Sequence, residues 1–219
     1  MIERPILFSA PMVRAILDGR KFQTRRVIKL PPQAGSAGLD LHEQRDADGV
    51  IVGLDAIPRK SHGMQWGAIR CPYGVPGETR LWVRETWGTT DADAPGCPDG
   101  RKPQQGDRLC YRADPADDYQ WGAGLPSQGN FVWRPSIHMP RWASRILLEL
   151  TEVRVQRVAE ISTEDAVAEG FEMGHPAGPI HWFQGLWDSI NAERGFGWDT
   201  NPFVWCLTFK RIEPGPRGA

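Results

Sequence analysis

Apolar and polar residues alternate along several segments of the chain, as expected of β-strands that place one face in a core. In residues 80–85, Leu81 and Val83 alternate with arginines and a tryptophan. Residues 144–158 alternate over a longer stretch, which fits either one bent strand or a tight pair. The predicted strands comprise residues 23–30, 80–85, 107–113, 144–158 and 203–212.

Three other segments carry apolar residues at helical spacing. Ser9 can cap the first helix, Pro11 suits its first turn, and Gly19 ends it. A capping-box-like STED at 162–165 begins the second helix, and Gly170 terminates it. The predicted helices lie within residues 5–18, after a short lead-in, and at residues 163–169 and 180–194.

Two stretches rich in glycine and proline, residues 31–72 and 88–140, show little periodicity and are predicted to be long loop insertions. The one regular feature expected in the first is a short hairpin around Gly49. Strands and helices that do not follow a simple βαβ order predict an α+β fold with a small β-barrel. We expect a single domain over residues 1–212 and a flexible tail at 213–219.

Composition narrows the classes of protein to consider. The chain has 219 residues, of which 40% are hydrophobic, so it can bury a full core. No apolar run approaches the roughly 18 residues of a membrane span, and the start lacks a secretory h-region, so we expect a cytoplasmic protein without membrane contact. The four cysteines lack CxxC spacing and are interpreted as reduced thiols, with no metal or cofactor expected. An open alternative is that Cys71 and Cys97 share a metal with a histidine.

The distribution of charge is more informative than the net charge of -1. Residues 1–30 carry seven Arg or Lys against two acids, a local balance of +5, which favours a local basic face over a general affinity for nucleic acid. Tryptophans beside arginines suit base stacking, although core packing of the tryptophans and solvated surface charge are the competing interpretations. Glu85 could instead pair with Arg84 or another arginine. The candidate ligand-binding residues are Arg20, Arg25, Arg26, Trp82, Arg84, Glu85, Arg141 and Trp142.

The segment GRKFQTRR, residues 19–26, joins the first predicted helix to the first predicted strand. Its Lys21 and Thr24 can act on an amide or a phosphodiester only if the lysine is partly deprotonated, which requires burial or nearby positive charge. The flanking arginines supply that charge, or they hold phosphate directly. Lys21 could instead complement the dipole of the preceding helix. Catalysis by Lys21 and Thr24 and phosphate binding by the arginines both indicate a nucleic-acid or nucleotide ligand.

The order of these elements, with GRKFQTRR, WVRET at 82–86 and EDAVAEG at 164–170, resembles the ASCH domain of the PUA-like β-barrel superfamily. The resemblance covers about residues 5–30, 74–87 and 144–212. With CPYG at 71–74 and WRPSIHMPRWASR at 133–145, the chain looks like the long ASCH proteins often found in phages and prophages.

The resemblance implies binding of RNA, DNA or a modified nucleoside, and some small ASCH proteins remove the acetyl group from N(4)-acetylcytidine. Their working residues fall here on Lys21, Thr24 and Glu169, while Phe22 departs from the threonine common in those enzymes. Lys21 would take the proton of Thr24, which attacks the acyl carbon, and Glu169 would protonate the leaving amine, with Arg26 or backbone amides facing the oxyanion. The alternatives are a non-catalytic reader of RNA or modified DNA, a ribonuclease using the same basic pocket, and a phage accessory protein.

Overall fold

The computed structural model describes residues 1–29, 39–47, 49–58, 66–89, 102–114 and 133–213. The strands are β1 (Ile2–Leu7), β2 (Gln23–Val27), β3 (Leu39–Arg45), β4 (Ile51–Pro58), β5 (Trp66–Arg70), β6 (Thr79–Arg84), β7 (Trp87–Thr89), β8 (Leu109–Tyr111), β9 (Leu147–Arg157) and β10 (Phe203–Ile212). The helices are α1 (Ala10–Leu17), α2 (Thr163–Ala168) and α3 (Gly178–Asn191). The predicted α+β class is therefore correct.

A mixed five-stranded sheet of order β1-β6-β9-β10-β2 organises the molecule. Strands β1 and β6 pair in parallel, and the other neighbours pair antiparallel. Residues 144–158, which fitted one strand or two, contain the single strand β9, which pairs with β10 along the whole length of β10. The three helices begin and end close to their predicted bounds, and Ser162 Oγ caps α2 by accepting from the Asp165 amide at 3.1 Å.

Strand β10 is buried on both faces, which explains its nearly continuous apolar sequence. Trp205 and Leu207 belong to the main core cluster, which also includes Val13 and Ile16 of α1. Val204 and Cys206 face the opposite way and pack in a second cluster with Phe183 and Trp187 of α3, among others. The central sheet is therefore packed between α1 on one face and α3 on the other.

Two predictions about strands were wrong. The lead-in predicted at the start of residues 5–18 lies partly in β1, which was not predicted, because an edge strand tolerates Pro5 and leaves one face exposed, which obscures its alternation. The segment 31–72 is more than a loop insertion, since β3, β4 and β5 form a separate antiparallel sheet. The hairpin expected at Gly49 joins β3 and β4, with Gly49 at φ +79°.

A closed barrel is not found within the described residues. The five-stranded sheet has free edges at β1 and β2, and β7 pairs with β8 in a separate two-stranded sheet. The two edges nevertheless approach each other, because Arg26 on β2 donates from Nη2 to the backbone oxygen of Leu7 on β1 at 2.7 Å. A guanidinium, not a backbone ladder, bridges the opening between them.

The remaining expectations concern segments that the structure covers in part. In the second predicted insertion it describes residues 88–89, 102–114 and 133–140, which include the end of β7 and all of β8. The predicted tail lies outside the described residues beyond residue 213. None of the helices in the described ranges is both long and apolar enough to span a bilayer.

Candidate active site

The junction between α1 and β2 positions Lys21. Its backbone amide donates to the carbonyl of Ala15 at 2.9 Å, which folds the chain sharply back after the helix. The residue also forms an isolated antiparallel bridge with Glu169, just after α2. Gly170 permits this approach, since its φ is +103° and a Cβ there would lie 3.2 Å from Lys21 Cβ and 3.1 Å from Ala15 Cβ. The glycine that ends α2 thus also lets the two segments meet.

The Lys21 ammonium is buried in an ion pair with Glu169. Its Nζ donates to Glu169 Oε2 at 2.7 Å and to the backbone oxygens of Glu169 and Gln23, both at 2.8 Å. Each of the two residues is 3% exposed. Burial lowers the pKa of Lys21 below its ordinary value, although the Glu169 carboxylate opposes this effect. The site therefore holds a lysine whose charged form is less favoured than in water.

Arg25 holds Glu169 from the other side. One Nη donates to Glu169 Oε1 at 3.2 Å and to Gln23 Oε1 at 2.6 Å, and the other lies 2.6 Å from Asp165 Oδ2. Burial alone would raise the pKa of Asp165, but the positive charge of Arg25, together with its neighbours Gln23 and Arg154, keeps it below the ordinary value. Glu169 is thereby fixed between two cations, with both carboxylate oxygens engaged.

These residues line a cavity of about 650 Å³ beside the opening between β1 and β2. Five of the sequence-predicted site residues meet there, namely Lys21, Thr24, Arg25, Arg26 and Glu169. Thr24 is 5% exposed. No other described residue forms a hydrogen bond with its hydroxyl group, so that group is open to a bound molecule.

The cavity combines aromatic walls with an excess of positive charge. Its apolar lining includes Phe8, Tyr73, Phe183 and Trp187. Its cationic lining comprises Lys21, Arg25, Arg26, Lys29 and Arg194, while Glu169 supplies a carboxylate. Flat apolar walls beside cationic donors suit a planar ring that carries carbonyl or anionic oxygen.

Arg26 is a buried cation of the cavity lining with an unused hydrogen-bond donor. Its Nη2 donates to Leu7 O, its guanidinium carbon lies 5.1 Å from the centroid of the Phe8 ring, and its buried Nε has no hydrogen-bond partner. Burial lowers the pKa of Arg26. No described carboxylate pairs with it, so a ligand oxygen would satisfy a donor that the fold leaves unused.

Several predicted ligand-binding residues do not line this cavity. Arg20 reaches Asp18 at 2.8 Å and the Gly170 carbonyl at 3.1 Å instead. Glu85 is 1% exposed and accepts from Arg145 at 3.0 and 3.2 Å, so it forms the ion pair with an arginine that was its alternative interpretation. Burial raises the pKa of Glu85 despite this partner.

The tryptophan and arginine candidates form two separate groups. Arg84 and Arg141 lie over the Trp82 ring, with guanidinium carbons 5.4 and 6.0 Å from its centroid. Arg141 is also paired with Glu3 at 2.6 Å. Trp142 packs edge-on against the buried Trp87, with centroids 5.8 Å apart, which is core packing. These tryptophans and arginines lie close together in sequence, but they do not line the cavity.

Sequence reasoning also missed residues that the fold delivers. Arg194 follows α3, and Tyr73 lies in the CPYG turn, so neither is near the GRKFQTRR segment in sequence. Asp165 was detectable, because it precedes Glu169 by four residues and therefore shares its face of α2. Phe183 and Trp187 of α3 lie on the apolar face of that helix, and they both line the cavity and pack in the second core cluster.

Metal ligation finds no support within the residues that the structure covers. No group of three or more His, Cys, Asp or Glu residues there could hold a metal ion. Cys71, Cys110 and Cys206 are buried, whereas Cys97 lies outside the described residues. The proposed sharing of a metal by Cys71 and Cys97 stays a prediction.

Comparison with protein-family models, curated proteins and solved structures finds no match to this chain. The ASCH resemblance therefore depends on the motifs quoted above.

Proposed function

We propose that this protein is an ASCH-type amidohydrolase that removes an acyl group from the exocyclic amine of a modified nucleobase. The single observation that carries the proposal is the buried Lys21–Glu169 ion pair, which lies beside an unpaired threonine hydroxyl in an aromatic, cationic cavity. The near approach of the two sheet edges through Arg26 supports a PUA-like origin of the fold.

The proposed reaction begins with a proton transfer inside the ion pair. Lys21 passes a proton to Glu169, and the pair becomes a neutral amine and a neutral carboxylic acid. Burial lowers the pKa of Lys21 and so favours its neutral form. The amine then takes the proton of Thr24 Oγ as that oxygen bonds to the acyl carbon.

Collapse of the tetrahedral intermediate breaks the carbon–nitrogen bond. Glu169 gives its proton to the leaving amine, and Thr24 is left as an acyl ester. Lys21 then returns a proton to Glu169, and its neutral amine takes a proton from the water that attacks the ester. Lys21 passes that proton to the departing Thr24 oxygen, which restores the hydroxyl and releases the carboxylic acid. Arg26 has an unused buried donor in the same cavity, so it is the candidate to face the developing oxyanion.

A second function is favoured by a different observation. All three hydrogens of the Lys21 ammonium have protein acceptors, and Arg25 saturates the far side of Glu169. A fully satisfied network can be structural. The same cavity would then act as a non-catalytic reader that binds a base of RNA or DNA by stacking and charge without turnover.

The experiment that separates the two functions removes the hydroxyl and keeps its shape. Thr24→Val preserves branching at Cβ in β2, while Thr24→Ser keeps a hydroxyl. Thr208→Val is the matched control, since Thr208 lies on the adjacent strand and its hydroxyl donates to Glu152 outside the cavity. Release of cytidine from N(4)-acetylcytidine is followed by chromatography, and binding is followed by calorimetry.

We expect Thr24→Val to lower kcat by at least about a hundredfold, with folding and ligand binding retained. Thr24→Ser should keep measurable turnover, and the control should match the unaltered protein. Binding without turnover in every protein would favour the reader. Cleavage of single-stranded RNA that depends on Thr24 would instead assign the ribonuclease activity.

A further inference from the structure

A second cavity, of about 530 Å³, lies beside the other end of β1. It is formed where the five-stranded sheet meets the sheet of β3, β4 and β5. Arg4 of β1, Arg70 of β5 and the turn residues Cys71, Pro72 and Gly74 line it. None of these residues belongs to the site described above.

The charge of this second cavity is positive and lacks a counter-charge. No carboxylate occurs among the described residues that line it. Arg4 donates to the Pro72 carbonyl at 3.2 Å, and its buried Nε has no partner. Arg70 forms no ion pair with any residue in the described ranges. Burial raises the pKa of Cys71 to about 11, so its thiol stays neutral and does not balance the two guanidiniums.

The CPYG turn and strand β1 each contribute residues to both cavities or to their borders. Tyr73 lines the first cavity, whereas its neighbours Pro72 and Gly74 line the second. Along β1, Arg4 borders the second cavity and Phe8, which follows the strand, borders the first. Residues four apart in extended chain lie about 13 Å from each other. A short oligonucleotide is long enough to span that separation.

We propose that the second cavity binds the phosphodiester backbone of a single-stranded nucleic acid whose modified base occupies the first cavity. Two guanidiniums without a carboxylate suit phosphate oxygens, and a single strand supplies a phosphate at a fixed distance from each base. The identity of the base rests on the proposed function, but the phosphate contact does not. The natural substrate would then be an oligonucleotide instead of a free nucleoside.

The test compares a nucleoside with octanucleotides. The probes are N(4)-acetylcytidine and single-stranded RNA and DNA octamers of matched sequence, each with one N(4)-acetylcytosine. The variant is Arg4→Gln/Arg70→Gln. The matched control, Lys210→Gln/Arg211→Gln, removes the same charge from residues outside both cavities. Thermal unfolding checks that each protein is folded.

We expect the Arg4→Gln/Arg70→Gln variant to bind the tighter of the two octamers about tenfold more weakly at low salt, with nucleoside affinity unchanged. The slope of log K against log salt should fall by about 1.4, which corresponds to two lost phosphate contacts on a single strand. If the double variant does not fold, Arg70→Gln alone should lower the slope by about 0.7, because Arg70 is exposed.

The inference is overturned if octamer affinity and salt slope are the same in the variant and the unaltered protein, or if the control variant loses as much. It is also overturned if the unaltered protein binds neither octamer. If the nucleoside is not bound but the octamer shows the expected loss of slope, the base specificity of the proposed function fails and the phosphate site stands. Preference for one octamer identifies RNA or DNA as the source of the phosphate.

Discussion

The buried Lys21–Glu169 pair makes a quantitative prediction that does not depend on the proposed reaction. Lys21→Met keeps most of the side-chain length and removes the ammonium. Glu169 then retains Arg25 at 3.2 Å as its partner among the described residues, and the Gln23 carbonyl loses the Nζ donor at 2.8 Å. Removing one member of a buried ion pair costs about 3–5 kcal/mol when the other charge is left uncompensated. Because Arg25 still compensates Glu169 in part, we expect the unfolding free energy to fall by about 3 kcal/mol, the lower end of that range.

A double-mutant cycle isolates the pair. Glu169→Gln keeps an amide oxygen for Arg25, and Arg25 also keeps Asp165 at 2.6 Å. When both charges are removed, no ion is left buried alone, so Lys21→Met/Glu169→Gln should cost less than the two single changes added together. A coupling of about 1–3 kcal/mol is expected for groups in direct contact.

Denaturant unfolding at neutral pH, with Lys210→Met as control, provides the measurement. Lys210 is an exposed lysine paired with Glu149 at 3.1 Å, and such a surface pair contributes at most about 1 kcal/mol. Additive effects in the cycle, or a cost for Lys21→Met no larger than for the control, would refute the buried pair and with it the geometry on which the reaction depends.

Two further predictions concern the framework around the site. Gly170→Ala should destabilise the protein by about 1–3 kcal/mol in thermal unfolding, because of its φ of +103° and the 3.1 Å approach of its Cβ to α1; Gly195→Ala, at φ +79° with open space around it, should cost less. Burial raises the pKa of Cys206 from 9.0 to about 12, so above pH 9.0 the unfolded thiol ionises first and stability falls by up to about 1.4 kcal/mol per pH unit. Cys206→Ala should lose this part of the alkaline decline in urea titrations, and an unchanged pH profile would contradict the assignment.

Local pattern was sufficient for much of the fold. The periodicity of α1, α3 and β9 and the continuous apolar run of β10 are consequences of which faces are buried, and they can be seen in the sequence. The pattern failed at β1, because an edge strand is exposed on one face and shows little alternation. This segment becomes a strand by pairing with β6, and the paired residues are more than 70 positions apart in sequence.

For the candidate site, too, one part could be predicted from the sequence and another part only from the tertiary structure. Lys21 and Thr24 are three residues apart, so the sequence alone already determined that they share the α1–β2 junction, and their residue types already indicated the chemistry to look for. Only the tertiary structure decided that Glu169, 148 residues from Lys21, pairs with it, and that Glu85 pairs with Arg145 elsewhere.

The physical reason is that an ion pair has no sequence signature. Its partners are selected by burial and by distances of about 3 Å, and both depend on how separate strands and helices pack. Periodicity shows which face of a helix or strand is buried. It does not show which charged group of another element packs against that face.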